Sequence, residues 1–151
     1  MVHIGIDPGL RTGAAAAIDH NGKVLGCIDI PSIDDRIDVI SLNTLLRQMI
    51  PAGDDFCITI EDVGVMPGQG ISSTGRFMRA AGAIETVGVL MAKKVLMVRP
   101  QAWKKALAVS ADKETSLALA RELFPAASLV RKKDHGRAEA LLIAEYSRRQ
   151  A

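Results

Sequence analysis

Aromatic side chains are scarce in this 151-residue chain: one Trp, one Tyr and three Phe, 3% of the residues. The core must therefore rest on Ile, Val, Leu, Met and Ala, within a hydrophobic content of 48%. Cysteine is nearly absent. Cys27 and Cys57 sit singly in apolar segments, without a CxxC pair or a nearby His, which excludes a disulfide framework and a zinc ribbon. Both read as reduced core residues of a cytoplasmic protein. No apolar run reaches membrane-spanning length and no signal-peptide pattern is present, so no membrane partner is expected. Repeats, low-complexity tracts and linkers are missing too, and the length suits one domain over 1–151.

Net charge is only +2, but it is unevenly spread. Residues 1–98 hold eight Lys and Arg against eleven Asp and Glu, a net of −3; residues 99–151 hold eleven against six, a net of +5. A basic C-terminal part suits an anionic partner, although charge alone does not distinguish this from an ordinary solvated surface.

The pattern predicts strands over 2–7, 13–19 and 23–30, with His20-Asn21-Gly22-Lys23 as a hairpin turn, hence an antiparallel meander. Ile33, Ile37, Ile40, Leu45, Leu46 and Met49 recur at helical spacing and predict a helix over about 33–50. Phe56–Ile60 is a fourth strand. Ser72, Ser73 and Thr74 are candidate caps of a long helix reaching about Lys93, and Val95–Val98 is a fifth strand. Pro100 opens a helix carrying Trp103, Asp112 caps another ending at Phe124, and the last helix covers about 137–149. The expectation is an α/β fold: a mixed five-stranded sheet, part meander and part parallel, flanked by helices.

Two acids break the apolar pattern. Asp7 and Glu61 each end an apolar strand, and the helical crossover between those strands predicts parallel neighbours with adjacent ends. The bland reading of Asp7 is a turn-initiating residue before Pro8. The sharper one is a metal ligand, because paired buried carboxylates repel unless a cation or proton relieves them. Asp134 or Glu139 can add a third acid, and hard oxygen donors favour Mg²⁺, with Mn²⁺ as a substitute. Three or four such acids would make a two-metal site for phosphodiester hydrolysis.

These stretches carry a resemblance. Ile4-Gly5-Ile6-Asp7-Pro8-Gly9 with Thr12-Gly13, Ile60-Glu61 before a Gly-rich loop, Met66-Pro67-Gly68-Gln69-Gly70, Arg99-Pro100-Gln101-Ala102-Trp103-Lys104-Lys105, and Lys133-Asp134-His135-Gly136-Arg137-Ala138-Glu139-Ala140 resemble the RuvC-type Holliday junction resolvases, most closely the small phage and prophage members. The resemblance implies a ribonuclease H-like fold, a homodimer, and Mg²⁺-dependent nicking of four-way and other branched DNA in a bacterial or phage-infected cell. It carries over Asp7 and Glu61 as catalytic metal ligands. It expects two further acids, or an acid and a His, three residues apart on the last helix. Glu139 fits the second, but Gly136 stands at the first, so Asp134, with His135 behind it, is the remaining candidate.

Arg76, Arg79, Lys104, Lys105, Lys113, Arg131, Lys132, Lys133 and Arg137 are the candidate DNA contacts; each alone reads first as a solvated charge, except in the run Arg131-Lys132-Lys133, which directly precedes the proposed acids. Trp103 reads as core or interface, and Phe77 as helix packing or a wedge at the branch point. The loop 66–75 could connect, enter DNA or cradle a nucleotide; it lacks the GxxxxGK[ST] pattern, so no nucleotide cofactor is expected. A second stripe on the long helix (Gly75, Met78, Gly82, Glu85 and Val89, with Gly88 beside it) points to a second copy. The competing functions are a broader ribonuclease H-like nuclease acting on flaps, forks or hybrids, a silent branched-DNA-binding module, and a sugar-kinase or actin-type ATPase, which needs two such domains.

Overall fold

The computed structural model describes residues 1–64, 68, 70–92, 94–131 and 133–151. Met66, Pro67, Gln69, Lys93 and Lys132, invoked above, lie outside the described residues. Along the chain run β1 (Val2–Asp7), β2 (Ala14–Ile18), β3 (Val24–Asp29), β4 (Ser32–Ile33), β5 (Arg36–Ile37), α1 (Val39–Gln48), β6 (Phe56–Glu61), α2 (Ile71–Met91), β7 (Val95–Val98), α3 (Pro100–Ala106), α4 (Lys113–Leu123) and α5 (His135–Arg149). The main sheet has the order β3-β2-β1-β6-β7. Its β1–β2–β3 part is an antiparallel meander, and β6 and β7 join in parallel. The expected α/β architecture is therefore the observed one.

Period-two alternation splits the core into two layers. Val2, Ile4, Ile6, Ile58 and Ile60 face α1 and α2, where Leu42, Leu46, Ala80, Ile84 and Val87 close the layer. On the other face, Ala14, Ala16, Ile18 and Val98 meet Trp103, Leu117, Phe124 and the apolar side of α5. Each fully buried Ile or Leu contributes about 1.5–3 kcal/mol. Small residues bring α5 onto β1: a Cβ on Gly5 would run into the Ala140 carbonyl oxygen and the Ala144 nitrogen.

Four local expectations are corrected. The 33–50 segment is not one helix: Ser32–Ile37 forms a two-stranded hairpin whose turn residues Asp34 and Asp35 take φ of 50° and 56°. Asp38 then caps α1, its carboxylate accepting from the Ser41 N–H at 3.1 Å. Left-handed backbone at two consecutive residues cannot continue a right-handed helix. α2 begins at Ile71 after Gly70, so Ser72–Thr74 lie inside its first turn rather than capping it. Gly88 is buried, with room for a Cβ only 3.4 Å from Ile60 Cδ1, and so faces the sheet rather than the outer stripe. Finally, α5 starts at His135, two residues early. Among the described residues, no helix is long and apolar enough to cross a membrane.

Candidate active site

The parallel register of β1 and β6 runs from Val2↔Phe56 to Ile6↔Ile60, which makes Asp7 and Glu61 the next rung. Both point to the α5 side, in line with Gly5 and Thr59. Glu139, one turn into α5, faces the same place: its charge and that of Glu61 both raise the Asp7 pKa. Burial, then repulsion from Glu139 and Glu61, holds the Asp7 carboxyl well above its usual range. Burial also raises Glu61, and a hydrogen bond from Trp103 only partly offsets it. Three carboxylates, from β1, β6 and α5, thus lie near enough to act on one another's charge.

Two of the three are held by consecutive residues of α3. The Trp103 indole N–H donates to Glu61 Oε1 at 2.7 Å, and the Lys104 ammonium donates to Glu139 Oε1 at 3.0 Å. Ser116 Oγ lies 3.4 Å from that same oxygen. The Lys104 nitrogen also stands 5.1 Å from the Trp103 ring centroid, a cation–π distance. Pro100 at the start of α3 sets the helix direction, and fully buried Trp103 anchors it. Sequence reasoning read Trp103 as core or interface without finding its partner. The available signal was its N–H, since a buried indole needs an acceptor.

Asp134 lies elsewhere. Its carboxylate is fully buried and accepts from the Arg131 backbone N–H at 2.8 Å and from the Arg131 guanidinium at 2.6 and 2.7 Å. Burial pushes this carboxyl up, but the Arg131 bonds outweigh it and the pKa is lowered. Its charged neighbours are Arg131 and Arg137, not the other acids. His135 Nε2 stands 3.6 Å from Glu114 Oε1, and its Nδ1 is buried without a hydrogen-bond partner among the described residues. Gly136 is the position that faces Asp7: a Cβ there would stand 3.3 Å from Asp7 Oδ2 but would run into the Thr12 carbonyl oxygen. The β1–β2 turn fills the space that a side chain three residues before Glu139 would need.

The basic residues divide into two groups. Arg137 makes a two-pronged pair with Asp29 at 2.6 and 2.9 Å, and Arg131 is bound to Asp134 and lies 3.6 Å from Asp29, so both charges are largely matched within the chain. Arg76, Arg79, Lys105, Lys113 and Lys133 are exposed. Lys113, at the start of α4, lies close enough to lower both Asp7 and Glu61. Arg76 and Phe77 line a shallow cleft with Leu10, Arg11, Asp35 and Ser73, beside the turn that follows Asp7.

A three-carboxylate donor set suits a hard divalent cation. It is not a ready cage: among the described residues, no three His, Cys, Asp or Glu side chains stand together in a metal-holding group. One oxygen of Glu61 and one of Glu139 are already bonded, to Trp103 and Lys104.

No protein-family model matches the sequence. No curated protein matches it either. Solved structures do. A Thermus thermophilus RuvC structure in complex with a Holliday junction substrate aligns with a TM-score of 0.71 at 18% identity, over 100% of this chain and 97% of that one. A second T. thermophilus RuvC structure aligns at 0.69 and 20% identity, over 99% and 96%. At such identities the likeness is one of fold, and it runs the length of both chains: this protein has the ribonuclease H-like fold of RuvC.

Proposed function

We propose that this chain is a metal-dependent endonuclease that nicks four-way and related branched DNA. The observation that carries the reading is the convergence of Asp7, Glu61 and Glu139 from three elements onto one partly buried patch, with their charges unfavourably coupled. The RuvC fold, seen elsewhere with a Holliday junction bound, supports the substrate class. Asp7, Glu61 and Glu139 would hold Mg²⁺ or Mn²⁺. Bound there, such a cation supplies activation of water and neutralisation of the oxygen that leaves. Asp134, in this reading, holds Arg131 in place instead of completing the donor set. Exposed Arg76, Arg79, Lys105, Lys113 and Lys133 would position the phosphates, with Arg131 and Arg137 at the edge.

The test is cleavage of matched four-way, three-way, flap and linear DNAs with Mg²⁺, with Ca²⁺ and with chelator. The expected outcome is Mg²⁺-dependent cutting confined to branched substrates. Equal cutting of linear DNA would overturn the substrate class, and cutting in chelator would overturn the metal.

The dimer belongs to the same reading. The outer stripe of α2 leaves Met78 49%, Val89 60% and Leu90 78% exposed, and Met97, on the same face of edge strand β7 as Ile60, is 46% exposed beside it. A Cβ at Gly82 would meet nothing within 4 Å, so this face is open to a second helix. A two-fold dimer would offer two acid patches to two matching strands. Met78→Glu is expected to give a folded monomer by light scattering that nicks singly. A wild-type protein that stays monomeric at tens of micromolar, with and without DNA, would sink the dimer.

A further inference from the structure

The acid patch already contains a cation, and that cation belongs to the protein. Lys104 donates to Glu139 Oε1 at 3.0 Å, its side chain is only 19% exposed, and its charge also acts on Asp7 and Glu61. One ammonium is therefore bonded to one of the carboxylates and lies near enough to act on the charge of the other two. Its helix is pinned by Trp103, which donates to Glu61, so the base of Lys104 is fixed and any departure of its ammonium has to come from rotation of the four-carbon stem. Lys113 also acts on the patch, but it is exposed and makes no carboxylate bond among the described residues.

We propose that Lys104 is the resident counter-ion of the acid patch and competes directly with the divalent cation for Glu139, so that metal loading requires the ammonium to leave Oε1. This rests on the assignment of Asp7, Glu61 and Glu139 as the metal-holding group. A dication entering beside an ammonium meets repulsion in a poorly screened site and must also replace an existing hydrogen bond. The same arrangement explains how three acids persist together without a metal: Lys104 neutralises one of them. Lys104 is thus a positioning residue that sets the cation concentration at which the site fills.

The chain's only tryptophan lies at the patch, which gives a readout independent of cleavage. Terbium luminescence sensitised by Trp103 reports Tb³⁺ binding directly, and Mg²⁺ affinity follows from competition against Tb³⁺. Lys104→Met keeps the apolar stem and removes the charge; it is expected to tighten both cations about tenfold. Lys104→Gln should do the same if Met perturbs packing. Lys104→Arg, which keeps the charge, should stay within about twofold of wild type, as should Lys94→Met, which removes a charge at the opposite end of the sheet. If wild type binds Tb³⁺, Asp7→Asn abolishes that binding, and both neutral Lys104 variants bind no tighter, the competition is refuted while the metal assignment stands. Absence of sensitised emission from wild type and the Lys104 variants alike would overturn the metal assignment and the competition together.

Discussion

The two ends of one strand pair make opposite use of buried polar side chains. At one end of β1 and β6, His3, Cys57 and Ser147 form a neutral triangle: Cys57 Sγ lies 3.4 Å from His3 Nδ1, and Ser147 Oγ lies 3.3 and 3.5 Å from the two. At the other end, Asp7, Glu61 and Glu139 form the anionic patch. The same helix serves both. Glu139 and Ser147 are eight residues apart on α5, about 12 Å, and His3 to Asp7 is four residues of strand, about 13 Å, so α5 runs antiparallel to β1 and spans it end to end. Burial and polarity are alike at the two ends. What differs is satisfaction: the triangle settles its own hydrogen bonds, whereas the patch sets three carboxylates against one bonded ammonium. Charge that the fold does not relieve is the mark of a site.

The sharpest way to break the comparison is to neutralise each end in turn. Asp7→Asn is expected to lower the junction nicking rate roughly a thousandfold, the equivalent of the several kcal/mol that metal-assisted charge stabilisation supplies, while junction binding persists. His3→Gln should leave nicking within about twofold, since the triangle faces no substrate. Single-turnover cleavage with gel-shift binding decides it. Near wild-type cutting by Asp7→Asn would remove that residue from the donor set.

A second substitution attacks what the ends share. A Cβ at Gly5 would collide with the backbone of α5, so Gly5→Ala should cost about 3 kcal/mol by forcing the helix off the strand. Both ends should suffer at once, seen as a lowered urea midpoint and a changed Trp103 emission as its bond to Glu61 loosens. A destabilisation under about 1 kcal/mol would mean that α5 slides without cost.

Much of this arrangement was legible in the sequence, for a physical reason. Apolar alternation in Val2, Ile4 and Ile6 and the run Phe56–Ile60 specify two core strands, and an acid ending each is visible without coordinates. The meander and α2 followed from turn chemistry and helical spacing. The segment at 33–37 misled because Ile33, Ile37 and Ile40 imitate a helix stripe, while the outcome depended on Asp34 and Asp35 taking left-handed backbone. Partners far apart in sequence were invisible: Trp103 meets Glu61 across 42 residues, and Lys104 meets Glu139 across 35. Asp134 read as a site acid because Gly136 stands where the resemblance expects one and Asp134 is the nearest acid at the head of the last helix; in the structure Asp134 and Arg131 satisfy each other.

The smallest effect separates the ends by the sign of their pH response. Asp7 has a folded pKa raised above its ordinary 3.8, chiefly by burial and then by Glu139 and Glu61. In the window above 3.8 the native state keeps a proton that the unfolded chain has released, so metal-free stability falls as pH rises, by up to about 1.4 kcal/mol per pH unit for one proton. Glu61, also raised, acts with the same sign. His3 has a folded pKa lowered below 6.5, chiefly by burial, with the N-terminal charge and Arg148 adding to it. In the window below 6.5 the unfolded chain takes up a proton that the native state refuses, so stability falls as pH falls. Glu145, near His3 and lowered despite its burial because Arg148 and Arg149 bind it, adds an acid loss of its own below its ordinary 4.5. The two responses are therefore best separated between pH 5 and 6.5 for His3 and above pH 4 for Asp7. In chelator, the stability gained by Asp7→Asn over wild type should grow with rising pH, and the difference made by His3→Gln should change only as pH falls under 6.5. Urea unfolding across this range measures both. An Asp7→Asn gain that stays flat from pH 4 to 7 would mean that the patch is relieved within the fold and that the contrast between the two ends is false.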